Sequence, residues 1–191
     1  MTPVVSADEI GDVVRWLRSE ICVPFVVVGG SAIRIEIPVA TKDVDVLISG
    51  RDWQKVDSAI ENRKDAAPLE PYSGSIRGTT VSIGNSAIQI DFLAGGPFGG
   101  DSFVEYVRGS GSRPYEGSRR ARPEVVFYMR LCLEDWRENI PSIERDLRVG
   151  VPESTLDRAI SVARRFGREA ELLKRVAAVR QAIRDLNPVR E

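Results

Sequence analysis

With 191 residues, 42% of them hydrophobic and 29% charged, and a net charge of −1, the composition is that of a globular protein able to bury a core of its own. The near-zero charge removes any whole-molecule pull toward nucleic acid or membrane, and no apolar run approaches the ~20 residues that span a bilayer. Histidine is absent altogether, which excludes Ser-His-Asp and Cys-His catalysis and histidine-ligated zinc. Chemistry must then rest on carboxylates, arginines, lysines, hydroxyls and a hard metal ion. The stretch MTPVVSADEIGD has no basic segment ahead of an apolar one, so no secretory leader is expected. The two cysteines, Cys22 and Cys132, make neither a disulfide framework nor a zinc spacing. That pattern suits a reducing cytoplasm, with both thiols expected to be buried as small apolar groups.

In chain order, Ser6-Ala-Asp-Glu is a capping box. Ile10, Val13, Val14 and Leu17 follow at helical spacing and predict a helix over 7–20. A short buried strand is expected over 25–28. It breaks at Gly29, Gly30 and Ser31, where the missing Cβ atoms allow a ligand close to the backbone. Residues 31–37 are expected to open a helix whose N-terminal amides face an anion, with Pro38 as its stop. Thr41 and Lys42 lead into a strand over 43–48. Asp43 and Asp45 are two apart, so they point to one face of that strand. Two like charges there repel unless a cation lies between them.

A second helix is expected over 52–63 with Trp53, Val56 and Ile60 inward, and 66–72, holding two prolines, reads as a loop. The runs 79–83 and 87–93 flank a Gly84-Asn85 turn and read as an antiparallel hairpin carrying Asp91. The glycine-rich stretch GGPFGG (95–100) is either a flexible connector or a mobile lip over a ligand. One more strand is expected over 103–107. Residues 108–122 hold five arginines and one acid, and read as a solvated loop or a basic rim.

From Pro123 onward the pattern is helical. Pro123 suits a first turn, opening a helix over 124–136 whose apolar residues (Val125, Val126, Tyr128, Met129, Leu131, Cys132) imply burial on more than one side. Further helices are expected over 141–148, stopped at Gly150, then 154–166 and 169–186. In the last of these, Ala170, Leu173, Val176, Ala177, Arg180 and Ile183 form a stripe. It either covers its own domain or pairs with a partner protein or a second copy of the chain. The expected fold class is α+β: a mixed-sheet core over 1–122 flanked by helices, then a helical lobe over 123–191.

Aspartate is depleted in strand interiors. Asp43, Asp45 and Asp91, flanked by Val, Ile, Phe and Leu, are therefore the candidate functional residues, beside the bend at Gly29, Gly30 and Ser31.

This arrangement resembles the nucleotidyltransferase superfamily typified by DNA polymerase beta, over roughly 26–93. Its members carry a Gly-Gly/Ser motif, an Asp-x-Asp about a dozen residues on, and a third Asp on a later strand. The resemblance implies that Asp43, Asp45 and Asp91 hold Mg²⁺ or Mn²⁺ against a nucleoside triphosphate, with Asp91 also the general base for an acceptor hydroxyl. It implies that the Gly29, Gly30 and Ser31 turn holds phosphate oxygens, the Ser31 hydroxyl included, with Thr41 and Lys42 flanking the first carboxylate. Many members place an arginine two residues before that threonine. Val39 stands there in this chain, and Arg34 is the nearest substitute.

The segment EVVFYMRLCLEDWRENIPSIERDL looks like the helices that follow the core in toxin-type nucleotidyltransferases of the abortive-infection kind. On that likeness Arg130 falls near a triphosphate-contacting lysine, with Asp146 to orient the phosphates or an arginine. The implied activity is transfer of a nucleoside monophosphate to RNA, protein or a small molecule, with the arginines of 108–122 and Tyr115 available to an RNA acceptor. The alternative is an inactive member of the fold that binds nucleotide or a partner protein.

Overall fold

The capping box folds as its spacing dictates. In the computed structural model, which describes residues 4–37, 41–73 and 75–186, the Ser6 hydroxyl accepts from the Glu9 amide at 3.2 Å. The Glu9 carboxylate in turn accepts from the Ser6 amide at 2.7 Å. This starts α1 (Ala7–Glu20), which buries Ile10, Val13, Val14 and Leu17. The chain divides into two compact units, Met1–Arg122 and Pro123–Glu191.

The first unit is built on one seven-stranded sheet. Its strands are β1 (Val26–Val27), β2 (Asp43–Ile48), β3 (Glu70–Ser73), β4 (Ile76–Ile83), β5 (Ser86–Ala94), β6 (Ser112–Tyr115) and β7 (Ser118–Ala121), in the order β3-β4-β5-β2-β1-β7-β6. β2 runs parallel to β5 and β1 parallel to β7, and the remaining neighbours are antiparallel. The period of two divides β2 and β5 into unlike faces. Val44 and Val46 pair in register with Ile90 and Phe92, all at most 1% exposed, on the core side. Asp43 and Asp45 pair with Gln89 and Asp91 on the other.

Helices α2 (Gly29–Arg34), α3 (Trp53–Glu61) and α4 (Gly100–Arg108) complete this unit. α2 starts two residues before the expected helix. Its expected stop, Pro38, lies outside the described residues, as does Val39. Residues 66–72 are not all loop, because Glu70–Ser73 pairs with β4 as the edge strand β3. An edge position tolerates Pro71, whose missing N–H is needed by no further neighbour.

The strand expected over 103–107 is instead part of α4. Phe103, Val104 and Val107 are buried, a helical stripe that alternation would have split between two faces. The glycine-rich stretch is likewise not a loose lip. Gly96–Phe98 makes a 3₁₀ turn, Phe98 is 2% exposed with its ring 5.5 Å from that of Phe103, and the Gly100 amide donates to Gly95 O at 2.8 Å. Cys22 also departs from expectation. It is exposed, at φ 54° just past α1, with its thiol turned back on the Ser19 carbonyl, while Cys132 is buried as expected.

The second unit consists of α5 (Pro123–Cys132), α6 (Ile140–Arg148), α7 (Ser154–Arg165) and α8 (Glu169–Leu186). α5 buries every residue from Val125 to Met129 along with Leu131 and Cys132, and packs on α7 and α8. Its open C-terminal carbonyls are capped by arginines: Arg175 donates to Leu131 O and Leu133 O, and Arg168 to Cys132 O. The apolar stripe of α8 is phased differently from the one expected. Leu172, Val176 and Val179 are buried, whereas Ala170 and Ala177 are exposed and Leu173 is 49% exposed. Only Val176 belongs to both sets, since packing against α5 and α7 selected the neighbouring face. Among the described residues, no helix is long and apolar enough to cross a membrane.

Candidate active site

The acidic face is assembled by three local devices. The first is the parallel pairing of β2 with β5, which sets Asp45 directly opposite Asp91 and Asp43 opposite Gln89. The second is the bend into α2. Gly29 has φ +60°, and a Cβ there would lie 1.8 Å from Asp45 Oδ2. Both the backbone conformation and the space therefore require glycine. The third is Gly78 on β4, the register partner of Asp91, where a Cβ would lie 2.7 Å from Asp91 Oδ1 and 2.5 Å from Gln89 Nε2.

Ser31 and Thr41 fasten the Asp-x-Asp segment. The Ser31 hydroxyl is fully buried. It donates to Asp43 O at 3.3 Å and accepts from the Asp45 amide at 3.1 Å. This is a clamp between α2 and β2, so the hydroxyl is turned into the protein, and the amides of the first turn of α2 precede the first intrahelical bond, Ala32 N–H to Val28 O. Thr41 Oγ1 donates to Asp43 O at 3.0 Å and lies 3.4 Å from its Oδ1. Lys42 is exposed beside them.

Electrostatics follow from this crowding. Burial pushes the Asp43 carboxyl above its ordinary value, opposed by the Thr41 hydroxyl and the Lys42 charge. Burial also raises Asp91, opposed by a hydrogen bond from Gln89 and reinforced by the negative charge of Asp43. Among the described residues, no three His, Cys, Asp or Glu side chains gather closely enough to hold a metal ion as they are placed. Asp43 is engaged by Thr41, and Asp91 by Gln89 at 2.8 Å.

Arg34 ends α2. Its charge helps hold Glu9 of α1 below the ordinary value, after the larger effects of the Ser6 amide and the Ser86 and Ser6 hydroxyls. Arg130 belongs to the second unit, where it pairs with the fully buried Asp146, and Arg145 Nε stands 3.6 Å from that carboxylate.

Four of the five arginines of 108–122 are engaged by partners inside their own unit. Arg113 and Arg120 bind Glu36, Arg119 bonds Ser112 and the Gly109 carbonyl, and Arg108 bonds the Pro24 carbonyl and faces Asp52 at 3.6 Å. Tyr115 is half-buried with its hydroxyl 3.5 Å from Ala7 O.

Gln89, Thr80, Tyr72 and Gly78 were not legible as site residues. The available clue was Gln89, two positions before Asp91 and hence on its face.

No protein-family model and no curated protein sequence matches the chain. Among solved structures, it is similar to a protein from H. pylori assigned as a nucleotidyltransferase, at 12% identity and TM-score 0.48, over 97% of this chain and 96% of that one. It is also similar to ANT(2")-Ia in complex with adenylyl-2"-tobramycin, at 14% identity and TM-score 0.42, over 94% of this chain and 97% of that one.

Proposed function

We propose that the chain is a nucleotidyltransferase that moves a nucleoside monophosphate from a nucleoside triphosphate to a hydroxyl acceptor in RNA, protein or a small molecule. One observation carries this reading: Asp43, Asp45 and Asp91 leave the sheet on one face, in register, beside a glycine bend that a Cβ would block. The donor set is all hard carboxylate oxygen, which suits Mg²⁺ or Mn²⁺. Such an ion, drawn to these carboxylates together with the triphosphate, would neutralise its charge and polarise the α-phosphoryl group.

The chain's own residues do the rest. The Gly30 and Ser31 amides receive phosphate oxygens, and Gly29 allows their close approach. The acceptor oxygen bonds to the α-phosphorus as the bond to the bridging oxygen breaks. Pyrophosphate leaves, and the acceptor's proton passes to Asp91. Catalysis of this type is mostly positioning and charge neutralisation and needs no histidine.

A second reading, a catalytically idle nucleotide-binding module, is favoured by the absence of three gathered metal-ligating side chains among the described residues. The test is incubation of the purified chain with each α-labelled nucleoside triphosphate, Mg²⁺ and total cellular RNA or protein. The expected result is a labelled acceptor with the natural chain and none with Asp45→Asn. Equal labelling by both would sink the enzyme reading. Nucleotide binding without labelled product, indifferent to Mg²⁺ and to Asp45→Asn, would favour the idle module.

A further inference from the structure

Gln89 lies opposite Asp43 on β2 and two residues before Asp91 on β5, so its side chain stands on the acidic face. Three hydrogen bonds converge on its carboxamide. Thr80 Oγ1 donates to Oε1 at 3.0 Å, and Nε2 donates to Asp91 Oδ1 at 2.8 Å and to the Tyr72 hydroxyl at 2.6 Å. A carboxamide has two orientations of nearly equal shape, separated only by their partners. Here the Asp91 carboxylate, which can only accept, fixes Nε2 toward itself, and the hydroxyl of Thr80, the register partner of Gln89 on β4, donates to the Oε1 on the other side. The space for this bond exists because residue 78 is glycine, since a Cβ there would lie 2.5 Å from Gln89 Nε2 and 2.7 Å from Asp91 Oδ1.

We propose that Gln89 is a positioning residue for the transfer and acts through Asp91, an inference that rests on the nucleotidyl-transfer reading of this face. Gln89 fixes the Asp91 rotamer and occupies Oδ1, which leaves Oδ2 as the oxygen available to the reacting groups. Thr80 acts one step further out, by holding Oε1 and so steadying the amide against the carboxylate.

The test uses the full chain with Gln89→Met, Thr80→Val, Thr80→Ser and the double variant Gln89→Met/Thr80→Val. In the metal-free protein, the side-chain amide ¹⁵N–¹H signals of Gln89 are expected to move in Asp91→Asn and in Thr80→Val, and to return in Thr80→Ser. In the labelling reaction, Gln89→Met is expected to lower kcat about ten-fold or more with the nucleotide KM unchanged. Thr80→Val should give a smaller loss that Thr80→Ser restores, and the double variant should be no worse than Gln89→Met alone. Gln89→Met with natural kcat, or amide signals indifferent to Asp91→Asn, overturns the inference alone. A natural chain that labels nothing overturns the nucleotidyl-transfer reading and this inference with it.

Discussion

Asp45 on β2 and Asp91 on β5 are register partners across a parallel strand pair, so their carboxylates leave the sheet side by side on one face. Nothing local brings them there. They are 46 positions apart in the chain, and like charges set opposite each other on neighbouring strands oppose the fold. Such an arrangement costs stability at the centre of a sheet.

The cost is measurable through pH. Burial raises Asp43 and Asp91 above their unfolded values, so between the two values the folded chain binds more protons than the unfolded one. Their contribution is therefore most favourable below the unfolded pKa of about 4 and is lost as pH rises through the folded values. Asp43→Asn and Asp91→Asn should each raise the thermal midpoint at pH 7, by about 2–4 °C per kcal/mol released. That gain should shrink toward pH 4. Thermal unfolding across this range checks it, and a loss of stability at pH 7 would contradict it.

Gly29→Ala should be destabilising on two counts, left-handed backbone and collision with Asp45 Oδ2. The backbone term alone is about 1–2 kcal/mol. The expected outcome is a lowered thermal midpoint together with loss of Mg²⁺-dependent nucleotide binding by calorimetry. Gly50→Ala, where a Cβ would meet nothing within 4 Å, is the control and should leave both nearly unchanged.

In the second unit, Arg130→Met would leave the fully buried Asp146 with Arg145, at 3.6 Å, as its remaining ion-pair partner among the described residues. Breaking a buried pair from one side typically costs about 3–5 kcal/mol, and removing both partners costs much less. Denaturant unfolding should therefore show Arg130→Met less stable than Arg130→Met/Asp146→Leu.

Phe98→Ala distinguishes an anchored turn from a mobile lip. A lip would tolerate the change, whereas a ring 2% exposed against Phe103 should lose about 3–5 kcal/mol with the cavity it leaves. Equilibrium unfolding in urea reads this directly.

Much of the architecture was legible because it is written in short-range chemistry. The capping box of α1, the Gly84-Asn85 hairpin turn and the Gly150 stop each lie within a few residues of the element they delimit. The same holds for the candidate carboxylates, since aspartates embedded among Val, Ile and Phe are unusual wherever the strands end up. The errors arose where composition was ambiguous and distant partners decided. Phe103–Val107 is β-prone in residue type yet helical in burial, Pro71 survives only because β3 is an edge, and the buried face of α8 depends on where α5 and α7 lie.

By itself the amino-acid sequence determined the chemical inventory: no histidine, three strand-borne aspartates and a glycine bend, because these follow from residue type and spacing along one chain. Only the tertiary structure decided that Asp91 faces the same way as Asp45, that the Ser31 hydroxyl is spent on a clamp, and that Gln89 grips the third carboxylate. The physical reason is that side-chain direction on a sheet is fixed by register. Register between β2 and β5 is set by packing of Val44 and Val46 on Ile90 and Phe92 across more than forty intervening residues.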